Sequence, residues 1–310
     1  MTKKVCVITG ATGGLGTAAC DKMAEKYLVV VSDIRKEKIE KKVAELRSKG
    51  YEAEGMVCDT SDRSQCFALA QYAASLGKVQ GVIQLAGLTP GFCKYTDLID
   101  VDVMGTININ EAFFSVMEEG ACIIDICSCV AHFMPQNKWP MAIFELALTD
   151  RQKFRDAFVE FISRFGDDAM CSNLAYVFGR TFIKWFAGKS AYAFGRLKGI
   201  RINTVSIGFA VTEQSMADLK ASGGDPEARL AQQMSYSAFG RPSTPEEVAF
   251  VFDTIIDERN RWFSGADVYF DNGCSANGYH GQQEASVITS HKGFISGISL
   301  KTAGSYAQCH

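Results

Sequence analysis

The sequence predicts an α/β fold, a doubly wound parallel sheet with helices on both faces. Three observations carry that prediction. Runs such as Val5-Cys6-Val7-Ile8, Leu28-Val29-Val30-Val31 and Cys122-Ile123-Ile124 have strand length and are apolar throughout, as strands buried on both faces must be. Between them lie apolar residues at helical spacing: Leu15, Ala18, Ala19 and Met23 after the first run, and Ile39, Val43 and Leu46 after the second. Aspartate, serine or glycine stands at the carboxyl ends of the runs, so that strand, turn and helix alternate regularly.

Composition narrows the class further. The chain has 310 residues and is 47% hydrophobic, ample for a buried core. Its 32 basic and 35 acidic residues are well mixed and sum to a net charge of -3, which argues against a nucleic-acid partner or an anionic membrane surface and for a small molecule. No stretch approaches the roughly 20 apolar residues that span a bilayer. The first strand starts near Lys4, leaving no room for a signal peptide, and a cytoplasmic location is expected. The 11 cysteines are irregularly spaced, and Cys6, Cys58 and Cys122 lie in apolar runs, so they read as reduced, buried thiols. Cys127 and Cys129 form the one close pair, and with no histidine cluster beside them no metal site is expected.

The first candidate site is Thr9-Gly10-Ala11-Thr12-Gly13-Gly14-Leu15-Gly16, between the first strand and the first helix. Gly10 permits the tight turn, Gly14 lets a pyrophosphate approach the backbone, and Gly16 lets the helix lie close to the strand. The helix N-terminus offers unpaired N–H groups to phosphate, with Gly10, Thr12, Gly13, Gly14 and Leu15 as the cradle. Asp33, ending the second strand, stands where a carboxylate accepts hydrogen bonds from the adenosine ribose and repels a 2′-phosphate. It favours NAD over NADP, with Arg35 as the argument for NADP.

The spacing T-G-x-x-x-G-x-G resembles the short-chain dehydrogenase/reductase family, whose Rossmann fold agrees with the sheet predicted above. The resemblance runs from about residue 4 to 273, within a single domain of residues 1–274. It implies that Asp59 and Thr60 lie at the adenine and that Ala86 and Gly87, in Leu85-Ala86-Gly87, line the cofactor, with Leu85 where the family has Asn. It implies that Ser128, at the end of the fifth strand, orients the substrate oxygen, and that Gly208 and Thr212 contact the nicotinamide, with Ile207 replacing the family's Pro. Asp102 replaces an Asn that props the proton relay; either it holds the same water or it is a plain helix residue.

The catalytic tyrosine follows only after an insertion at 133–171. Its second half opens with Thr149-Asp150-Arg151-Gln152, which has the form of a capping box, and continues with Phe154, Phe158, Phe161 and Phe165 on one helical face. That stripe is extra core, a subunit interface or an active-site wall, the wall being favoured for residues 133–139. Two motifs then compete, Tyr176-Val177-Phe178-Gly179-Arg180 and Tyr192-Ala193-Phe194-Gly195-Arg196. On one helix their tyrosines lie about 24 Å apart, at 1.5 Å per residue, and Tyr176 has the family's place near the helix start. Arg180 takes the place of the family's Lys. It can favour the phenolate and hold the ribose, but it cannot release a proton. Lys184, one turn on, is the weaker cation candidate.

A substrate lid is expected at about 209–237 and an irregular tail at 275–310. Phe92, Phe133, Met134, Trp139, Phe209 and Met216 are the candidates to line an apolar pocket. The expected activity is an NAD(H)-dependent interconversion of a secondary alcohol and a ketone on a bulky hydrophobic substrate, in a homodimer or homotetramer. The A-G-L-T-P, A-H-F-M and N-L-A-Y segments are similar to the hydroxysteroid dehydrogenase-like branch. Leu85, Asp102, Arg180 and Ile207 leave open a second reading, a catalytically impaired dinucleotide-binding regulator or scaffold.

Overall fold

Side-chain alternation in the strands divides the interior into two layers. The computed structural model describes residues 4–91, 93–221 and 225–275. In β1 (Lys4–Thr9), Cys6 and Ile8 enter one layer and Val5 and Val7 the other, and all four are fully buried. β2 (Leu28–Asp33), β3 (Ala53–Val57), β4 (Lys78–Gln84), β5 (Cys122–Ser128), β6 (Arg201–Ile207) and β7 (Asp267–Phe270) complete a parallel sheet in the order β3-β2-β1-β4-β5-β6-β7. Strand order reverses between β1 and β4, which opens a crevice outside their carboxyl ends. The doubly wound sheet is the one the apolar runs predict.

The helices in chain order are α1 (Gly14–Ala24), α2 (Lys36–Ser48), α3 (Arg63–Leu76), α4 (Tyr95–Leu98), α5 (Gly105–Val116), α6 (Met141–Phe144), α7 (Arg151–Ser163), α8 (Asp168–Lys198), α9 (Glu213–Ala221), α10 (Pro226–Met234) and α11 (Pro245–Ile256). α1, α2 and α11 supply Met23, Val43 and Phe252 to one layer; α3, α5 and α8 supply Leu69, Phe113 and Ala187 to the other. A π-helical turn, Ile99–Met104, joins α4 to α5 and carries Asp102. α8 is 31 residues long and ends at Gly199, whose φ of 66° is the left-handed cap that glycine tolerates.

The insertion builds a third core away from the sheet. Phe144, Phe154 and Phe158 are fully buried against Leu98, Val103 and the α8 residues Phe178, Phe182 and Trp185. Phe154 stacks on Phe182 with ring centroids 4.6 Å apart. Phe161 is half-buried and Phe165 is 42% exposed, so the stripe leaves the core at its far end. Of the three readings of the stripe, core within the chain holds for Phe154 and Phe158. Arg155 pins α7 to the π-helical turn through Asp100 at 2.5 and 2.7 Å, and Arg151 reaches Glu111 of α5 at 2.5 Å. The expected capping box is corrected: Asp150 caps α7 by accepting from the Lys153 N–H at 3.0 Å, while the Thr149 hydroxyl turns back to the Leu146 carbonyl. Aspartate caps as well as threonine does, and here it stands one residue nearer the helix.

Phe158→Ala should cost about 3–5 kcal/mol, the usual penalty for emptying a large aromatic site. An unchanged urea midpoint would show that the third core adds nothing to stability.

Asp125, in mid-β5, is fully buried and accepts from Asn110 Nδ2 at 2.8 Å. Burial pushes its carboxyl up to about 7 against the pull of that bond. In the unfolded chain an aspartate titrates near 3.9. Between those two values the folded chain holds a proton that the unfolded chain has released, so stability falls as pH rises through the window and levels off above about 7. Asp125→Asn should flatten that slope in melting temperatures measured from pH 5 to 8. An equally steep slope in the variant would assign it to other groups.

Candidate active site

At the switch point the chain offers a cradle for phosphate. Gly10 turns with φ +60°, and a Cβ there would fall 2.7 Å from the Ala86 amide nitrogen, so the turns after β1 and β4 are packed together. The Thr9 hydroxyl oxygen accepts from the Leu85 and Ala86 N–H groups at 3.2 Å and fixes the second turn. α1 starts from Gly13 with no side-chain cap and no acid in its first turn, which leaves its leading N–H groups for an anion. Gly14 has a second use: a Cβ there would fall 2.6 Å from Thr212 Cγ2, so the segment after β6 sits on the glycine turn.

Asp33 is strongly held. Its carboxylate accepts from the Thr12 hydroxyl at 2.6 Å and the Thr12 N–H at 3.2 Å, and from Arg35 Nε at 3.2 Å. Burial pushes this acid up, but the bonds from Thr12 and Arg35 outweigh it and hold the carboxyl below its ordinary range. Arg35 also donates to the Thr12 hydroxyl at 2.9 Å. Asp59 accepts from the Ser61 N–H and hydroxyl at 2.9 and 2.7 Å. Thr60 is buried, with Gly105 seated on its side chain.

The central contact is a buried ion pair. Arg180 Nη2 donates to Asp102 Oδ2 at 2.7 Å, and its Nη1 donates to the Ile126 carbonyl of β5 at 3.1 Å. Asp102 Oδ1 accepts from the Leu88 N–H at 2.7 Å. Burial pushes the Asp102 carboxyl up to about 6, against the pull of Arg180 and Leu88, which leaves it ionised at neutral pH. A Cβ on Gly87 would lie 3.1 Å from Arg180 Nη2 and 3.2 Å from Asp102 Oδ1, so a larger residue would crowd the pair. The guanidinium also lies over the Tyr176 ring, 4.9 Å from its centroid.

These contacts set the height of Tyr176. The Cys127 thiol donates to the Arg180 carbonyl at 3.2 Å, so Arg180 is level with Ile126 and Cys127. α8 runs opposite to the strands, and one turn back along it, about 6 Å, matches about two residues further along β5. Tyr176 is thereby carried toward the level of Ser128, which ends β5 and caps the turn Cys129–His132 by accepting from the Val130 N–H at 3.5 Å. Tyr192 is 78% exposed near the other end of the helix. Lys184 bonds His132 Nδ1 at 2.9 Å and does not join the Asp102–Arg180 pair.

Among the expected pocket residues, Met134 and Trp139 pack on the third core and share a bond from Trp139 Nε1 to the Met134 carbonyl at 3.1 Å. Phe133 is largely exposed, Phe209 and Met216 are half-buried, and Phe92 and the tail beyond Ser275 lie outside the described residues. Gly208 packs on Asp271, where a Cβ would meet Asp271 Cα at 3.0 Å.

A model of the short chain dehydrogenase family matches residues 4–141, the segment that carries the glycine turn, Asp33 and Asp102. Over that segment the chain is similar to the short-chain dehydrogenases. It is 27% identical to a 3-alpha-hydroxysteroid dehydrogenase/carbonyl reductase of Comamonas testosteroni, over 88% of this chain and 96% of that one. It is 23% identical to a short-chain reductase of Streptomyces niveus, over 87% and 94%. Among solved structures, a short-chain dehydrogenase/reductase of Serratia marcescens superposes with a TM-score of 0.67 at 19% identity, covering 88% of this chain and 98% of that one. Actinorhodin polyketide ketoreductase with NADPH superposes at 0.69 and 18% identity, covering 89% and 98%. Among the described residues no helix is long and apolar enough to cross a membrane.

Residue-by-residue reading of the sequence missed the pairing of Asp102 with Arg180. The signal was present in the two departures from the family pattern, a carboxylate for an amide and a guanidinium for an amine, which together make an ion pair. Removing one partner should be costly: Asp102→Leu leaves a buried guanidinium uncompensated and should destabilise by about 3–5 kcal/mol, whereas Asp102→Leu/Arg180→Met should recover most of the loss. Additive losses in the double variant, read from denaturation midpoints, would show that the two residues do not depend on one another.

Proposed function

We propose that the protein is an NAD(H)-dependent oxidoreductase interconverting a secondary alcohol and a ketone on a bulky hydrophobic substrate, with hydroxysteroids as the candidate class. The observation that carries this reading is the ladder of Asp102, Arg180 and Tyr176 beside the end of β5, where Ser128 stands. Tyr176 exchanges a proton with the reacting oxygen and Ser128 hydrogen-bonds that oxygen. Arg180 holds the Tyr176 ring and supplies a fixed positive charge beside it, while Asp102 and Ile126 hold Arg180. When bound, the nicotinamide accepts or delivers the hydride. The uncapped start of α1 fits its phosphates, through Gly10, Thr12, Gly13, Gly14 and Leu15. Asp33 fits the ribose, with Asp59, Ala86, Gly87, Gly208 and Thr212 along the remaining length, and Arg180 near the nicotinamide ribose.

Asp33 supports NAD(H), since its ionised carboxylate repels a 2′-phosphate. The Comamonas relative, a hydroxysteroid dehydrogenase/carbonyl reductase by name, supports the substrate class, as does a 3beta-hydroxysteroid dehydrogenase of Mediterraneibacter gnavus at 26% identity over 87% of this chain and 94% of that one. One observation favours the second reading, a catalytically impaired dinucleotide-binding regulator: Arg180 spends one N–H of each terminal nitrogen on Asp102 and Ile126.

NADH should bind more tightly than NADPH at one ionic strength; the reverse order would point to Arg35. With NADH and a panel of hydrophobic ketones that includes steroid ketones, Tyr176→Phe should lose roughly 100- to 10,000-fold in turnover, with cofactor affinity kept, while Tyr192→Phe changes little. Cofactor binding with no ketone reduced, in wild type and in Arg180→Lys alike, would favour the regulator.

A further inference from the structure

Lys184 continues the ladder on α8 one turn beyond Arg180, but it serves a different neighbour. Its Nζ lies 2.9 Å from His132 Nδ1, and its ammonium lies 5.6 Å from the centre of the Trp139 ring. His132 is buried at the far end of the turn that Ser128 begins. Its Nε2 lies 2.8 Å from Asp267 Oδ2 on β7 and 3.0 Å from Ser206 Oγ on β6, and its ring packs 4.1 Å from that of Tyr269. Asp267 also accepts from the Thr204 hydroxyl at 2.6 Å and the Ser206 hydroxyl at 2.9 Å.

Counting donors settles the imidazole's orientation. Asp267 can only accept, so His132 Nε2 carries the hydrogen that faces it, and in the neutral imidazole Nδ1 is left to accept from Lys184. His132 is thereby tied to β6 and β7 on one side and to α8 on the other.

We infer that Lys184 and His132 form a strut that fixes the spacing between the Ser128 turn and the helix bearing Tyr176, making both positioning residues for the reaction proposed above. The two groups meant to meet one substrate oxygen come from different elements: Ser128 from the end of β5 and Tyr176 from α8. The Cys127–Arg180 bond ties those elements just before Ser128, and the Lys184–His132 bond ties them again just after it. With both ends of the segment 127–132 anchored to α8, Ser128 cannot slide relative to Tyr176. Displacement of a reacting group by about 1 Å can cost roughly 100-fold, so such a tie has kinetic weight without touching substrate.

The test uses the full-length protein with Lys184→Met, which keeps the stem beside Trp139 and removes the donor, and Lys184→Arg, which restores a donor. Two readouts are taken. The first is hydrogen exchange of the Val130 amide, whose N–H points to Ser128 Oγ. It should quicken at least tenfold in Lys184→Met and return toward wild type in Lys184→Arg; unchanged exchange in Lys184→Met overturns the strut. The second is steady-state kinetics on the ketone of the panel that wild type reduces fastest. In Lys184→Met, kcat should fall roughly 10- to 100-fold while KM for NADH stays within twofold, and Lys184→Arg should recover most of the loss. Faster exchange with unchanged kcat overturns the positioning role. If wild type reduces no ketone, the proposed activity fails, and amide exchange still decides whether the strut exists.

Discussion

A guanidinium withdrawn from water must have a counter-charge and hydrogen-bond acceptors in fixed places, and that requirement organises the centre of this molecule. Arg180 is buried, and its partners come from the π-helical turn and from β5. Once the pair forms, α8 is locked in height against the sheet, the turn at Gly87 is pressed against both partners, and the Tyr176 ring is held under a cation. Breaking the pair would leave two uncompensated charges in a low-dielectric interior, where desolvation costs several kcal/mol per ion. The ion pair is therefore a geometric constraint more than a source of stability, and the local architecture is arranged to respect it.

The insertion meets a different requirement. α8 is 31 residues long, and one face of its first half is turned away from the sheet. The buried phenylalanines of α6 and α7 cover it, so that one helix lines two cores, that of the sheet with Ala187 and that of the insertion with Phe178 and Phe182. A rigid helix shared in this way passes the position of one core to the other, and a change in how α7 packs is felt at Tyr176.

Much of the fold was legible because its signals are local. Continuous apolar runs require burial on both faces, glycine at residues 10, 14 and 16 requires a tight turn under a helix, and Pro245 after Thr244 marks the start of α11, where the capping box forms. The candidate site was legible in its residue types and less so in its contacts. Asp102 and Arg180 are distant in sequence, and no periodicity links them; only folding shows that two separate departures from a family pattern are one interaction. His132, Lys184 and Asp267 were hidden for the same reason, since they meet across three elements. The stripe of Phe154 and Phe158 predicted an amphipathic helix, but which surface received it depended on the face of α8 left bare. The Thr149 cap failed on a finer scale, because two adjacent residues could each cap the helix and backbone geometry chose Asp150.

The π-helical turn at Ile99–Met104 has a bearing on how this chain can change over generations. Such a turn is a helix carrying one residue too many, and deleting that residue would restore ordinary α-helical bonding from α4 through α5. In most helices a lineage could drift back to the regular form at little cost. Here the deletion would swing Asp102 about 100° around the axis and strip Arg180 of its counter-ion. The irregular turn and the buried arginine thus depend on one another: a single-residue deletion that regularised the helix would also break the ion pair.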